Sequence, residues 1–265
     1  MSYPVLRYLF PLSIVLACSF IPLKVEAAMH TESVEYRHGD TVLEGYLAYD
    51  DAQKGPRPGV LVVHEWWGLN DYTKMRTEQL AGLGYIAFAL DMYGKGVRAK
   101  TPQEAGALAG RYKEDRQLMR ARAQAGLDVL KNNKLTDPKR VAAIGYCFGG
   151  TTVLELARSG ADLAGVVSFH GGLGTPSPED AKNIKGKVLV LHGADDPMAP
   201  AQEVAAFQDE MRKANVDWQM GFYGGAVHSF TNPKSGSDPS KGVAYNEKAD
   251  KRSWEAMKVF FGEVL

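Results

Sequence analysis

Residues 140–150 read Arg140-Val141-Ala142-Ala143-Ile144-Gly145-Tyr146-Cys147-Phe148-Gly149-Gly150. A short apolar run, as expected for a strand buried on both faces, ends in Gly-x-Cys-x-Gly-Gly, and a helical stretch follows over about 150–158. The pattern is that of a nucleophile elbow with cysteine in place of serine. A sharp strand-to-helix turn holds the nucleophile in a strained conformation, and glycine on both sides removes Cβ clashes. The helix beginning there points its N–H groups and positive dipole end at the sulfur, which favours the thiolate, the reactive form. The N–H of Phe148 is then placed to donate into an oxyanion hole.

The elbow sits in an alternation of strands and helices. Val34 to Tyr36 and Thr41 to Tyr49 alternate around Gly39-Asp40, a hairpin signal. Val60 to His64 is a continuous apolar run, followed by a helical stretch from about Asp71 to Leu83 and a strand from Tyr85 to Leu90. Thr101-Pro102-Gln103-Glu104 is a capping box with proline at the first helical position, and it predicts one helix running to about Lys131. Gly165 to Phe169, Lys187 to Leu191 and Asp217 to Tyr223 are further strands. Helices are expected over about 201–214 and from Tyr245 to Phe261. The reading is one α/β domain over 29–265, with a mostly parallel central sheet and helices on both faces. In such sheets the chemistry lies beyond the carboxyl ends of the strands.

Three more segments end strands in this way. After Leu191, the turn His192-Gly193-Ala194-Asp195-Asp196-Pro197 presents two acids able to orient a histidine; Asp196 is the choice and Asp195 the alternative. Gly224-Gly225-Ala226-Val227-His228-Ser229-Phe230 puts a histidine on a glycine turn, from which it can reach across the top of the sheet as a base. The chain order nucleophile 147, acid 196, base 228 is the order α/β-hydrolases use. His64-Glu65-Trp66-Trp67-Gly68-Leu69-Asn70 follows the strand where that fold supplies its second oxyanion donor. One of Trp66 and Trp67 is expected to wall the pocket and the other to enter the core. His64, His170 and His192 also end apolar strands and are candidates to line the same crevice. No histidine pair has metal-ligand spacing such as H-x-x-x-H.

Composition limits the alternatives. The chain has 265 residues, 45% hydrophobic and 23% charged, which suits a folded domain. Lys+Arg and Asp+Glu are both 31, so a neutral chain has no general electrostatic reason to bind nucleic acid or an anionic membrane. Two cysteines exclude a disulfide scaffold and a multi-cysteine metal cluster. Residues 1–28 place Arg7 before an uncharged run from Tyr8 to Leu23, with Ala27 and Ala28 after it. That is the order of a secretory signal peptide cut near Ala27, and it predicts a periplasmic or secreted protein with Cys147 as its only thiol. A retained anchor is the alternative, and Cys18 makes a weak lipoprotein box.

Taken together, H-E-W-W-G at 64–68, D-M-Y-G at 91–94, G-Y-C-F-G-G at 145–150, H-G-A-D-D-P at 192–197 and H-S-F at 228–230 resemble the dienelactone hydrolase family of α/β-hydrolases. The resemblance covers roughly 31–264. It implies an α/β-hydrolase fold and hydrolysis of small carboxylic esters or lactones through an acyl-enzyme, without metal or cofactor, with Cys147 as nucleophile, His228 as base and Asp196 as its orienting acid. It further implies that Glu65 contacts the resting thiol and that main-chain N–H groups of Phe148 and near Trp66 bind the oxyanion. Trp67, Lys95 and Tyr146 are the expected substrate contacts. Family members that open dienelactone hold its carboxylate with arginines, one after D-x-Y and one after H-S-F. Here Gly94-Lys95-Gly96 and Thr231-Asn232-Pro233 stand in those places, which argues against dienelactone itself. Arg98 is a further candidate to reach the site. A small-molecule substrate and a monomer or weak homo-oligomer are expected. A non-catalytic binding module on the same scaffold, acyl transfer to another acceptor, and a thiol-redox role are the competing readings.

Overall fold

The computed structural model describes residues 29–265 together with Met1, Ser2 and Pro4. Apart from those three residues, the expected signal peptide, its cut near Ala27 and Cys18 lie outside the described residues. The strands are β1 (Met29–His38), β2 (Thr41–Asp50), β3 (Arg57–Val63), β4 (Ile86–Leu90), β5 (Thr136–Tyr146), β6 (Gly165–Phe169), β7 (Lys187–Gly193) and β8 (Trp218–Tyr223). They form one sheet in the order β1-β2-β4-β3-β5-β6-β7-β8. β1 and β2 are the expected hairpin, and β2 runs antiparallel to β4; from β4 to β8 every neighbouring pair is parallel. This is the mostly parallel sheet of the α/β-hydrolase fold.

Helices α1 (Asp71–Gly82) and α6 (Glu247–Val264) cover one face. Helices α2 (Pro102–Glu114), α3 (Arg116–Lys131), α4 (Phe148–Arg158) and α5 (Ala201–Lys213) cover the other. The strand period of two divides side chains between the layers: Val60 and Val62 of β3 join Leu80 and Phe260, while Leu61 and Val63 join Leu127 and Phe148. Every residue of β4 and of β6 is buried, as expected of the apolar run of β4 and of a β6 whose only polar residue is Ser168.

β3 lies between β4 and β5, so the chain leaving β3 turns to one side and the chain leaving β5 to the other. Such a switch point opens a crevice beyond the strand ends. The two segments that border it are the 64–70 loop and the elbow.

The helix expected from Thr101 to Lys131 is two helices. Asp115 leaves helical geometry (φ −115°, ψ 88°), and its carboxylate caps α3 by accepting the Leu118 N–H at 2.8 Å. Aspartate competes for nearby backbone donors and so favours a cap over a helix interior. At the start of α2, Thr101 caps the Glu104 N–H as expected, but the Glu104 carboxylate reaches back to the N–H of Lys100 and closes the box one residue early.

Two glycines set the elbow's tightness. A Cβ on Gly145 would collide with the Gly149 carbonyl, and a Cβ on Gly149 with the Val63 carbonyl, because α4 crosses the ends of β3 and β5 backbone to backbone. Gly149→Ala is expected to cost about 3 kcal/mol, measured by urea unfolding. Gly106→Ala, on the exposed side of α2 with open space around it, is expected to act oppositely and to add about 0.5–1 kcal/mol. Equal effects would contradict this packing.

Candidate active site

Cys147 is the single residue between β5 and α4, at φ 55° and ψ −113°. A non-glycine residue in such a conformation stores strain of order 1–3 kcal/mol. It is held there by its N–H, which donates to the Phe169 carbonyl at 3.0 Å, and by its carbonyl, which accepts from the Thr151 N–H at 3.3 Å. The sulfur opens onto a cavity of about 590 Å³.

His228 Nε2 lies 3.1 Å from Cys147 Sγ, and its Nδ1 lies 2.9 Å from Asp196 Oδ2. The Asp196 side chain is fully buried, and its second oxygen accepts the Met198 N–H at 2.8 Å. Asp195 points elsewhere: it is exposed and accepts the Gly225 N–H at 2.9 Å, fastening the glycine turn that leads to His228. The two neighbouring acids are thus divided between imidazole and turn. Burial works against a charge on His228, but the Cys147 sulfur and the Asp196 carboxylate outweigh it and raise the imidazole to about 10.

Glu65 is not hydrogen-bonded to the thiol, contrary to the expectation. It is buried, and it accepts Ser229 Oγ at 2.7 Å and Asn232 Nδ2 at 2.6 Å. The physical reason is competition. His228 occupies the sulfur, while the base's own turn offers two strong donors on the other side. Burial raises the Glu65 carboxyl above its ordinary value, against the lowering effect of those two donors.

The main-chain N–H groups of Phe148 and Trp66 donate to no protein acceptor among the described residues. The 64–67 backbone is fixed from beneath. His64 Nε2 accepts the Met92 N–H at 3.2 Å, so its Nδ1 carries the proton and donates to the Glu65 carbonyl at 2.6 Å. Burial lowers His64 to about 4 and keeps this tautomer neutral. The Tyr93 hydroxyl donates to the Trp66 carbonyl at 3.0 Å.

Both Trp66 and Trp67 border the cavity, edge to face at 5.1 Å, and Trp66 also packs against the hydrophobic core, so the expected division into one wall and one core residue is not clean. Lys95 is not at the cavity. It is exposed and paired at 2.7 Å with Glu35 of the β1–β2 hairpin, which draws it away. Tyr146 does not reach the cavity either. It precedes Cys147 on the strand and points to the α1 face, stacked on Phe169 at 4.7 Å. His64, His170 and His192 are buried and line no part of the cavity. Arg98 borders an adjoining hollow on the far side of Trp67. Among the lining residues that sequence reading missed are Lys113, Thr151, Met198, Lys234 and Val243. Thr151 is one helical turn after Cys147 and was within reach of that periodicity. Lys113 and Lys234 come from distant segments and carry no local signal. A larger groove, about 740 Å³, lies between β1 and α3 and contains neither cysteine nor histidine.

The model of the dienelactone hydrolase family matches residues 43–265. The solved structure described as m3DLH is 45% identical, covers 90% of this chain and 99% of its own, and superposes with a TM-score of 0.87. The structure of the dienelactone hydrolase-like promiscuous phosphotriesterase P91 from metagenomic libraries is also 45% identical, over 89% of this chain and 99% of its own, with a TM-score of 0.85. A protein of Aquifex aeolicus provisionally named as a carboxymethylenebutenolidase is 31% identical over 88% of this chain and 99% of its own.

The charge balance around His228 predicts an NMR titration. The imidazole is expected to keep its second proton through neutral pH and to lose it near pH 10. Cys147→Ala removes the sulfur and leaves burial opposing the charge, so the titration should move down toward the ordinary histidine range. A wild-type midpoint near 6.5 would contradict this charge balance.

Proposed function

The chain belongs to the dienelactone hydrolase family of ester and lactone hydrolases, and from that premise we propose that it cleaves small carboxylic esters or lactones through a thioester on Cys147. The observation that carries the reading is the continuous contact from Cys147 Sγ to His228 Nε2 and from His228 Nδ1 to Asp196. The sulfur attacks the acyl carbon, and the carbonyl π electrons move onto oxygen. The Phe148 and Trp66 N–H groups, which have no other acceptor among the described residues, receive that charge. On collapse the C–O bond breaks, and the leaving alkoxide takes the proton from the His228 imidazolium. Water then attacks the thioester with His228 as base, releasing the acid and the thiolate. Asp196 keeps the imidazole in the working orientation throughout. The fold, the unshared oxyanion donors and the family together favour this reading over a non-catalytic module.

The cavity also bears on substrate class. Its wall is aromatic and aliphatic at Trp66, Trp67, Phe148 and Val243, with Lys113 and Lys234 at its edge and no Asp or Glu among the described residues that line it. These two ammonium groups stand in for the missing arginines as point charges, and they favour an acyl or alcohol part carrying an anionic arm. A phosphotriester is a second reading, favoured by the 45% identity to P91. The amino-terminal segment supports export, with Cys147 then the only thiol of the mature chain.

Cys147→Ala is expected to lower turnover of 4-nitrophenyl acetate by at least about 1,000-fold, and turnover close to wild type would overturn the mechanism. Lys113→Met combined with Lys234→Met should lower kcat/KM about fivefold for the anionic succinate monoester of 4-nitrophenol and leave the neutral acetate unchanged. Equal effects on both substrates would remove the lysines from recognition. An aryl phosphotriester assayed alongside separates the second reading.

A further inference from the structure

Behind His228 lies a second buried histidine that the reaction above does not use. His170 directly follows β6, the strand between the one that leads to Cys147 and the one that leads to Asp196. It is fully buried, and its backbone sits at φ 40°, in the left-handed region, with its N–H held by the Leu191 carbonyl at 2.9 Å. Its Nδ1 has no hydrogen-bond partner, whereas its Nε2 lies 2.7 Å from Thr231 Oγ1. A non-glycine residue strained in this way persists only where its surroundings over-determine it.

Thr231 is the hub of the arrangement. Its hydroxyl also lies 2.6 Å from the Tyr72 hydroxyl, and its carbonyl accepts Arg76 Nη2 at 2.7 Å. Arg76 Nε donates to the Tyr72 hydroxyl at 3.4 Å, and the Thr231 hydroxyl bridges the Tyr72 hydroxyl and His170 Nε2, donating to one and accepting from the other. Hydroxyls that both donate and accept polarise one another along such a chain. The His170 ring stands edge to face against His228, with centroids 5.4 Å apart, and against Phe230 at 5.2 Å. The turn 228–232 is therefore gripped on two sides. Glu65 holds Ser229 and Asn232, and His170 holds Thr231 while its ring backs the base.

We propose that His170 is a positioning residue for the base: through Thr231 and through its ring face it fixes the angle at which His228 addresses Cys147. It touches neither substrate nor sulfur. The charged and titratable groups around it are His228, Arg76, His192 and Tyr146. Burial, reinforced by the His228 imidazolium and then by the Arg76 guanidinium, holds His170 neutral, well below its ordinary value. A neutral ring is what the arrangement needs, because a second cation against His228 would displace it.

The inference rests on the Cys147–His228 reading, and the test separates the two. His170→Phe keeps a ring and removes the bond to Thr231; His170→Gln restores a polar atom near the Nε2 position. Expected for His170→Phe is a fall in kcat of about tenfold on 4-nitrophenyl acetate with KM within twofold, a shifted pH profile of kcat/KM, and recovery of most of the loss in His170→Gln. Alkylation of Cys147 by iodoacetamide across pH gives a readout that needs no ester turnover: its pH dependence should shift in His170→Phe and return in His170→Gln. If ester turnover is absent in the wild type but the alkylation profile shifts in this way, the hydrolase reading fails and the positioning role stands. An unchanged kcat and alkylation profile in His170→Phe overturns the proposal, as does a loss that follows melting temperature and is not rescued by glutamine. Should His170→Phe not fold, Thr231→Val removes the same bond from the other side; wild-type kcat and alkylation there overturn the proposal equally.

Discussion

The contact between Cys147 Sγ and His228 Nε2 joins two residues 81 positions apart, and the rest of the architecture exists to keep it at 3.1 Å. Burial disfavours a charge on His228, and the Cys147 sulfur and the Asp196 carboxylate outweigh that only while both stay in place. The sheet supplies that constancy. β5 delivers the sulfur, β7 delivers Asp196, and the turn after β8 brings the imidazole back across the strand ends between them. Because these strands are adjacent or nearly so in a parallel sheet, all three groups converge beyond one edge of the fold.

Strain gathers at the same place. Of the four non-glycine residues with positive φ among the described residues, Cys147, His170 and Ser229 lie at the site, at the ends of β5 and β6 and in the base's turn. Each is compensated by bonds that leave it little freedom: Phe169 and Thr151 for Cys147, Leu191 and Thr231 for His170, Glu65 for Ser229. Glu65 and His64, next to each other in sequence, serve different parts. The His64 ring sets the loop that carries the Trp66 N–H, and the Glu65 carboxylate reaches under the base. The 64–67 segment thus links the loop that carries the Trp66 N–H to the turn that carries His228.

The sheet, its order of elements and the three converging residues were legible in the sequence because their signals are local. An apolar run followed by Gly-x-Cys-x-Gly-Gly specifies a strand, a turn and a helix within eleven residues, and the acid and base are likewise marked by the turns that follow strands. The single helix read over 101–131 failed at Asp115, where a side chain competing for backbone donors outweighed continuous helical periodicity. Tyr146 was misread although its signal was available: on a strand, the neighbour of a residue at the top of one face points to the other. Lys95 and Lys234 show the limit of local reading. Lys95 sits in the expected stretch of chain but is drawn to Glu35 across the hairpin, while Lys113 and Lys234 reach the cavity from α2 and from the turn beyond Asn232. Which cation meets which cavity is decided by tertiary packing, and no periodicity encodes it. Glu65 was recognised as belonging to the site, and only its partner differed.

The most direct test of the central claim is rapid acid quenching of the protein after mixing with 4-nitrophenyl acetate, followed by intact-mass and peptide mass spectrometry. The account predicts a burst of one nitrophenol per chain and a single acetyl group on the peptide that contains Cys147, absent in Cys147→Ala. An acetyl group on a different residue, or steady hydrolysis with the burst unchanged in Cys147→Ala, would contradict it.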